Sequence, residues 1–326
     1  MFNALFWARA MTRAQSIRRP LTKGQRIAIA LAACSPVLAV AAQACAQTPP
    51  TAVATTALPA FASDRLSVEV MGSGPDVILI PGYASSREVW RATAERLKAT
   101  HRVHLVQLAG FAGEPWTHGD GPFVQPVIDA LAAYVTAQDL EGPAVIGHSM
   151  GGMSAIMLAQ QHPSLVGKVM SVDSLPFFSA LFGPHVTVET ARPFAEQAAA
   201  GIMNTTDAAF RNGQAATAIG MARDPATRTA IVEWSLASDK AALAAAIRDV
   251  MLTDLRPGLA TMTTPVWAPY AADVDGGAPA AMADALWARE YATLPGVKLI
   301  RVDGSRHFIM ADQPQQFGQI VDEFLK

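Results

Sequence analysis

Cysteine is nearly absent from this chain. The 326 residues hold two, Cys34 and Cys45, and none lies beyond position 45. The rest of the chain therefore has no disulfide and no thiolate metal site. Acidic residues are missing from positions 1–47, where six basic residues (Arg9, Arg13, Arg18, Arg19, Lys23 and Arg26) stand alone. Positions 48–326 carry 19 basic against 27 acidic residues, a net charge of −8, which excludes the electrostatic footprint of a nucleic-acid binder. Long hydrophobic runs are lacking too. The apolar stretch 27–42 is short for a membrane span and is broken by Cys34-Ser35-Pro36. No internal repeat is visible.

The order at the N-terminus is basic, then apolar, then Ala44-Cys45-Ala46, an A-x-A ending. It predicts a signal peptide over 1–46 and a periplasmic or secreted product. The alternative is a membrane anchor, through an uncleaved leader or a lipid on Cys34. Positions 47–63 are rich in Pro, Thr and Ala and read as a linker. About 260 residues remain for a single large domain.

Those residues alternate between two kinds of pattern. Apolar, β-branched runs at Leu66–Val70, Val77–Ile80, Val103–Gln107, Ala144–Gly147, Lys168–Val172, Val266–Ala271 and Val297–Val302 predict strands. Helical spacing predicts helices at Ser86–Ala99, Phe123–Ala137, Met150–Gln161, Ala280–Ala292 and Gln313–Leu325. Alternation of this kind predicts an α/β fold, a mainly parallel, doubly wound sheet over 64–326. Residues 174–257 interrupt it with helical stretches and no strand-like run. They are expected to form a helical cap over the carboxyl edge of the sheet, where such folds bind ligands.

Within the fourth predicted strand and the helix after it stands Gly147-His148-Ser149-Met150-Gly151. A serine between a buried strand and a helix sits on a sharp turn, with its hydroxyl raised above the sheet. Small residues at 147 and 151 let strand and helix approach. The helix begins just behind the serine, so the Met150 N–H faces the same space and is suited to hold a developing oxyanion.

With Ile80-Pro81-Gly82-Tyr83, Gly110-Phe111-Ala112-Gly113 and Gly304-Ser305-Arg306-His307-Phe308, this motif resembles the α/β-hydrolase superfamily over nearly all of 64–326. Pro81-Gly82 replaces that family's usual His-Gly pair. The resemblance implies that Ser149 is a nucleophile, that His307 is its base and that the Tyr83 N–H is a second oxyanion donor. It implies an acid after the strand 266–271. Asp273 is the first carboxylate there, with Asp173 and Asp275 as competitors. Asp303 is expected to cap the strand end. Among the other histidines, His148 is too close in sequence to serve Ser149, and His101, His104 and His162 read as structural. His118 borders the expected site and His185 falls in the cap.

A serine at this position argues against the branches of the family that use aspartate, the dehalogenases and epoxide hydrolases. No metal or organic cofactor is called for. The expected reaction is hydrolysis of a small carboxylic ester with an apolar part, through an acyl-enzyme. Phe177, Phe178, Phe182, Met153, Phe308 and Met310 flank the motifs and are candidates to line its site. The alternatives are hydrolysis of another acyl or a carbon–carbon bond, or a ligand-binding protein of low turnover on the same fold.

Overall fold

The computed structural model describes residues 61–326. The expected signal peptide and nearly all of the expected linker lie outside them. Among the described residues no helix is long and apolar enough to cross a membrane.

Seven strands form one sheet: β1 (Leu66–Gly72), β2 (Asp76–Ile80), β3 (Arg102–Leu108), β4 (Ala144–His148), β5 (Lys168–Val172), β6 (Val266–Ala272) and β7 (Lys298–Asp303). Their order across the sheet is β1-β3-β2-β4-β5-β6-β7, and only the β1–β3 pair is antiparallel. The chain moves from β2 outward to β3, then crosses back to place β4 on β2's other side. The order reverses there, and a crevice opens beyond the carboxyl ends of β2 and β4. Val77–Ile80 and Val145–Ile146 are fully buried, as continuous apolar runs in a sheet covered on both faces must be. Each such side chain contributes about 1.5–3 kcal/mol by leaving water.

Helices α1 (Arg91–Leu97), α2 (Val124–Ala137) and α3 (Met150–Gln161) connect the first strands. The single helix expected over 86–99 is split. A 3₁₀ turn at Arg87–Trp90, capped by the Ser86 side chain, precedes α1. After β5 the chain makes the expected helical excursion: α4 (Val188–Asn204), α5 (Asp207–Met221), α6 (Pro225–Ala237), α7 (Lys240–Leu252) and the short α8 (Arg256–Leu259). Side-chain oxygens of Thr187, Thr206, Asp224 and Asp239 accept from the first turns of α4, α5, α6 and α7, satisfying N–H groups that have no partner in the helix. Helices α9 (Ala280–Glu290), α10 (Ile309–Asp312) and α11 (Pro314–Leu325) complete the fold around β7.

Candidate active site

Ser149 lies between β4 and α3 with φ of 55° and ψ of −122°, a conformation that strains any residue bearing a Cβ. Its N–H donates to the Val172 carbonyl at 2.9 Å, and its carbonyl accepts from Gly152 and Met153 as α3 begins. The flanking glycines are sterically required. A Cβ on Gly147 would lie 2.0 Å from the Gly151 carbonyl oxygen, and one on Gly151 would lie 2.4 Å from that of Ile80. The elbow is therefore wedged against the end of β2, at the point where the strand order reverses.

The loop between β7 and α10 carries His307. Its Nδ1 lies 2.6 Å from Oδ2 of Asp173, the residue just after β5. A carboxylate only accepts, so Nδ1 is the donor in this bond, which directs the other ring nitrogen, Nε2, away from Asp173. Asp173 is buried, and its other oxygen accepts from the Ala271 N–H at 2.9 Å. Its backbone also has positive φ, 45°.

Asp273, the acid expected to pair with His307, does not reach it. Oδ1 of Asp273 accepts from Arg223 Nη1 at 2.8 Å and Oδ2 from Arg306 Nε at 2.9 Å. Burial pushes this carboxyl up, but the Arg306 hydrogen bond and the Arg223 charge outweigh it and hold it below the usual range. The physical reason for the correction is competition. Two guanidiniums claim the carboxylate that comes after β6, whereas the one after β5 faces an imidazole and an amide. Asp275 is exposed and lies 3.7 Å from Arg223, so it too is not at the histidine.

His148 packs its ring 4.5 Å from that of His307 and 4.7 Å from that of Phe308. Burial, reinforced by the neighbouring His307, holds it well below the usual imidazole range. Neutral, it donates from Nε2 to the His307 carbonyl at 2.9 Å. Its Nδ1 has no partner among the described residues. His104 is structural, bonded to Asp76 and Tyr134. His118 contacts the Asp64 carbonyl at 3.2 Å and is not part of the cavity wall.

A cavity of about 130 Å³ gathers Ser149, His307 and Asp173 with Tyr83, Met150, Met153, Phe178 and Phe308. Tyr83 is anchored over it by a hydrogen bond from its hydroxyl to the Leu243 carbonyl, 3.2 Å. Phe177 is absent from the wall. It is fully buried beneath the cap, with the Arg256 guanidinium 4.4 Å from its ring centroid. Phe182 and Met310 are likewise not in the wall. The cap supplies residues that sequence reasoning missed: Gln214, Thr217 and Met221 from α5, Ile231 and Ser235 from α6, and Ile247 and Val250 from α7. Their spacing of three or four positions was the available signal, diluted by the alanines between them. Trp287 of α9 also lines the cavity. A second cavity of about 330 Å³ adjoins the first, sharing Asp173, Leu181, Trp287 and His307 with it.

Residues 77–320 match the family described as "Alpha/beta hydrolase family". The chain belongs to the α/β-hydrolase family. It is a hydrolase, and its seven-stranded, mostly parallel sheet with flanking helices is the fold of that family. Its curated relatives include pimeloyl-[acyl-carrier protein] methyl ester esterases from Edwardsiella ictaluri, 28% identical over 76% of this chain and 92% of that one, and from Aeromonas hydrophila, 29% identical over 80% and 99%. Among solved structures, a thermophilic esterase from Thermogutta terrifontis superposes with a TM-score of 0.67 at 19% identity, covering 80% of this chain and 92% of that one. An enol-lactonase from Burkholderia xenovorans LB400 does so with 0.65 at 17%, covering 80% and 96%. At those identities the structural likeness speaks for the fold alone.

Proposed function

We propose that the protein is a serine esterase acting on a small carboxylic ester, with Ser149 as nucleophile, His307 as base and Asp173 as acid. The observation that carries this reading is the 2.6 Å bond from His307 to Asp173, made beside a cavity that Ser149 enters on a strained elbow. Two curated relatives named as methyl ester esterases, aligned over most of their length, support ester as the substrate.

In the reaction Ser149 Oγ bonds to the ester carbonyl carbon and its proton passes to His307 Nε2. Asp173 keeps the proton on Nδ1 and stabilises the imidazolium. The oxyanion is held by the Met150 N–H, at the start of α3, and the Tyr83 N–H. The carbon–oxygen bond breaks, Nε2 hands its proton to the departing alcohol, and water releases the acid by the same steps. The cavity's apolar wall (Met150, Met153, Leu175, Phe178, Ile231, Val250) suits an apolar acyl group. We propose export with it, from the leader at 1–46.

The test is hydrolysis of p-nitrophenyl esters of graded acyl length by the wild type and Ser149→Ala. Short acyl chains are expected to be preferred. Loss of turnover and of fluorophosphonate labelling in the variant is expected, and activity that survives it would overturn the reading. N-terminal sequencing of exported protein tests the leader, with an intact Met1 as the adverse result.

A further inference from the structure

Four hydrogen bonds run directly between residues 219–224, where α5 turns into α6, and residues 306–312. The Phe308 N–H donates to the Met221 carbonyl at 3.2 Å, and the Arg306 guanidinium donates to the Ile219 carbonyl. The Arg223 and Asp224 N–H groups donate to Asp312 Oδ1 at 2.8 and 3.1 Å. Two carboxylates organise this seam. Asp312 also accepts from the Arg306 N–H at 2.8 Å through Oδ2, closing residues 306–312 on themselves. Asp273, buried at the end of β6, takes Arg223 of the cap with one oxygen and Arg306 of the histidine loop with the other.

His307 sits inside the segment so pinned. The helices entering and leaving 219–224 are α5 and α6, which supply Gln214, Thr217, Met221, Ile231 and Ser235 to the cavity wall. One seam therefore joins the roof over the substrate to the loop carrying the base.

We propose that Asp273 and Asp312 are positioning residues that latch the cap to the histidine loop, so that the roof over the substrate and the placement of His307 are set as one unit. This rests on His307 being the base and Asp173 the acid. Neither latch carboxylate touches the reacting atoms. Each acts through His307, whose Nε2 must meet both Ser149 Oγ and the leaving oxygen. A base displaced by about 1 Å by a change remote from the chemistry can lose on the order of 100-fold in rate.

The experiment compares the full-length wild type with Asp273→Asn, Asp312→Asn, Arg223→Gln, the double variant Asp273→Asn/Arg223→Gln and Asp173→Asn, all on p-nitrophenyl acetate. The latch variants are expected to lose about 10- to 100-fold in kcat with KM little changed, the pattern of an interaction needed in the transition state. The double variant should match Asp273→Asn alone, since both changes open one latch. The downfield chemical shift of His307 Nδ1–H, set by its bond to Asp173, should move in every latch variant, whereas lost global stability alone leaves the folded-state shift where it is. Unchanged kcat in these variants, with a lowered melting temperature only, overturns the proposal while leaving the serine reading intact. A loss of about 10⁴-fold in Asp273→Asn beside a mild one in Asp173→Asn would instead make Asp273 the acid, overturning both assignments. Should Asp273→Asn fail to fold, Arg223→Gln and Asp312→Asn decide by the same two readouts.

Discussion

Asp173 and Asp273 end neighbouring parallel strands, both buried, both facing the loop that carries His307, yet their surroundings give them opposite chemistry. Asp173 meets an imidazole and one amide; Asp273 meets two guanidiniums and the Asp275 N–H. A guanidinium stays charged at any working pH, so a carboxylate shared by two of them is fully engaged in structure. An imidazole can gain and lose a proton, so its carboxylate partner can respond to each step of a reaction. Place at a strand end is therefore a poor guide to role, and the charge state available to the partner is a better one.

The comparison is most sharply broken by removing the two charges in turn. Asp173→Asn is expected to lower kcat by about 10⁴-fold, because His307 loses the partner that fixes its tautomer, against a far milder loss for Asp273→Asn. Circular dichroism of both variants checks that the fold persists. Equal losses would erase the distinction drawn between the two carboxylates.

A smaller effect is expected from His148, on the Asp173 side. Its folded pKa is depressed, so the unfolded chain binds the proton more tightly. Its contribution to stability is complete above the unfolded value near 6.5 and is lost as pH falls below it. The expected slope is about 1.4 kcal/mol per pH unit, visible in urea unfolding between roughly pH 6.5 and 5 and absent from His148→Gln. A variant with the same slope as the wild type would place the cause elsewhere.

The smallest effect belongs to Asp273 itself. Its carboxyl is also depressed, so its contribution is complete above about pH 3.9 and fades as pH falls toward the lower folded value. Acid unfolding of the wild type should thus be steeper below about pH 4 than that of Asp273→Asn, measured by the same urea series. Identical curves would mean that the Arg306 and Arg223 pairing adds nothing to stability.

Local pattern accounts for what the sequence made legible. Strands β2 and β4 are continuous apolar runs, α3 starts where the glycine-flanked serine ends, and Ser149 and His307 both reach the cavity. The partner of His307 was not legible in the same way. Asp173 and Asp273 each come after a buried strand, and which of them an arginine claims is decided by residues 50 and 33 positions away from Asp273, Arg223 and Arg306. The arginine directly before His307 was the one local hint that a nearby carboxylate would be taken. Phe177 and Phe178 show the same limit at finer grain. Adjacent in sequence, one is buried under the cap and the other lines the cavity, since the 3₁₀ turn Phe178–Phe182 begins between them.

The bend at Ser149 has a consequence for how this chain ages under mutation. A backbone held at φ 55° with a Cβ attached stores on the order of 1–3 kcal/mol, which glycine at the same place would release. Ser149→Gly should therefore give a protein that resists urea at least as well as its parent while turning over nothing. A lineage freed from the need to catalyse would drift toward that quieter sequence. With Ser149 as the proposed nucleophile, the bend is stability given up to place a hydroxyl above the sheet.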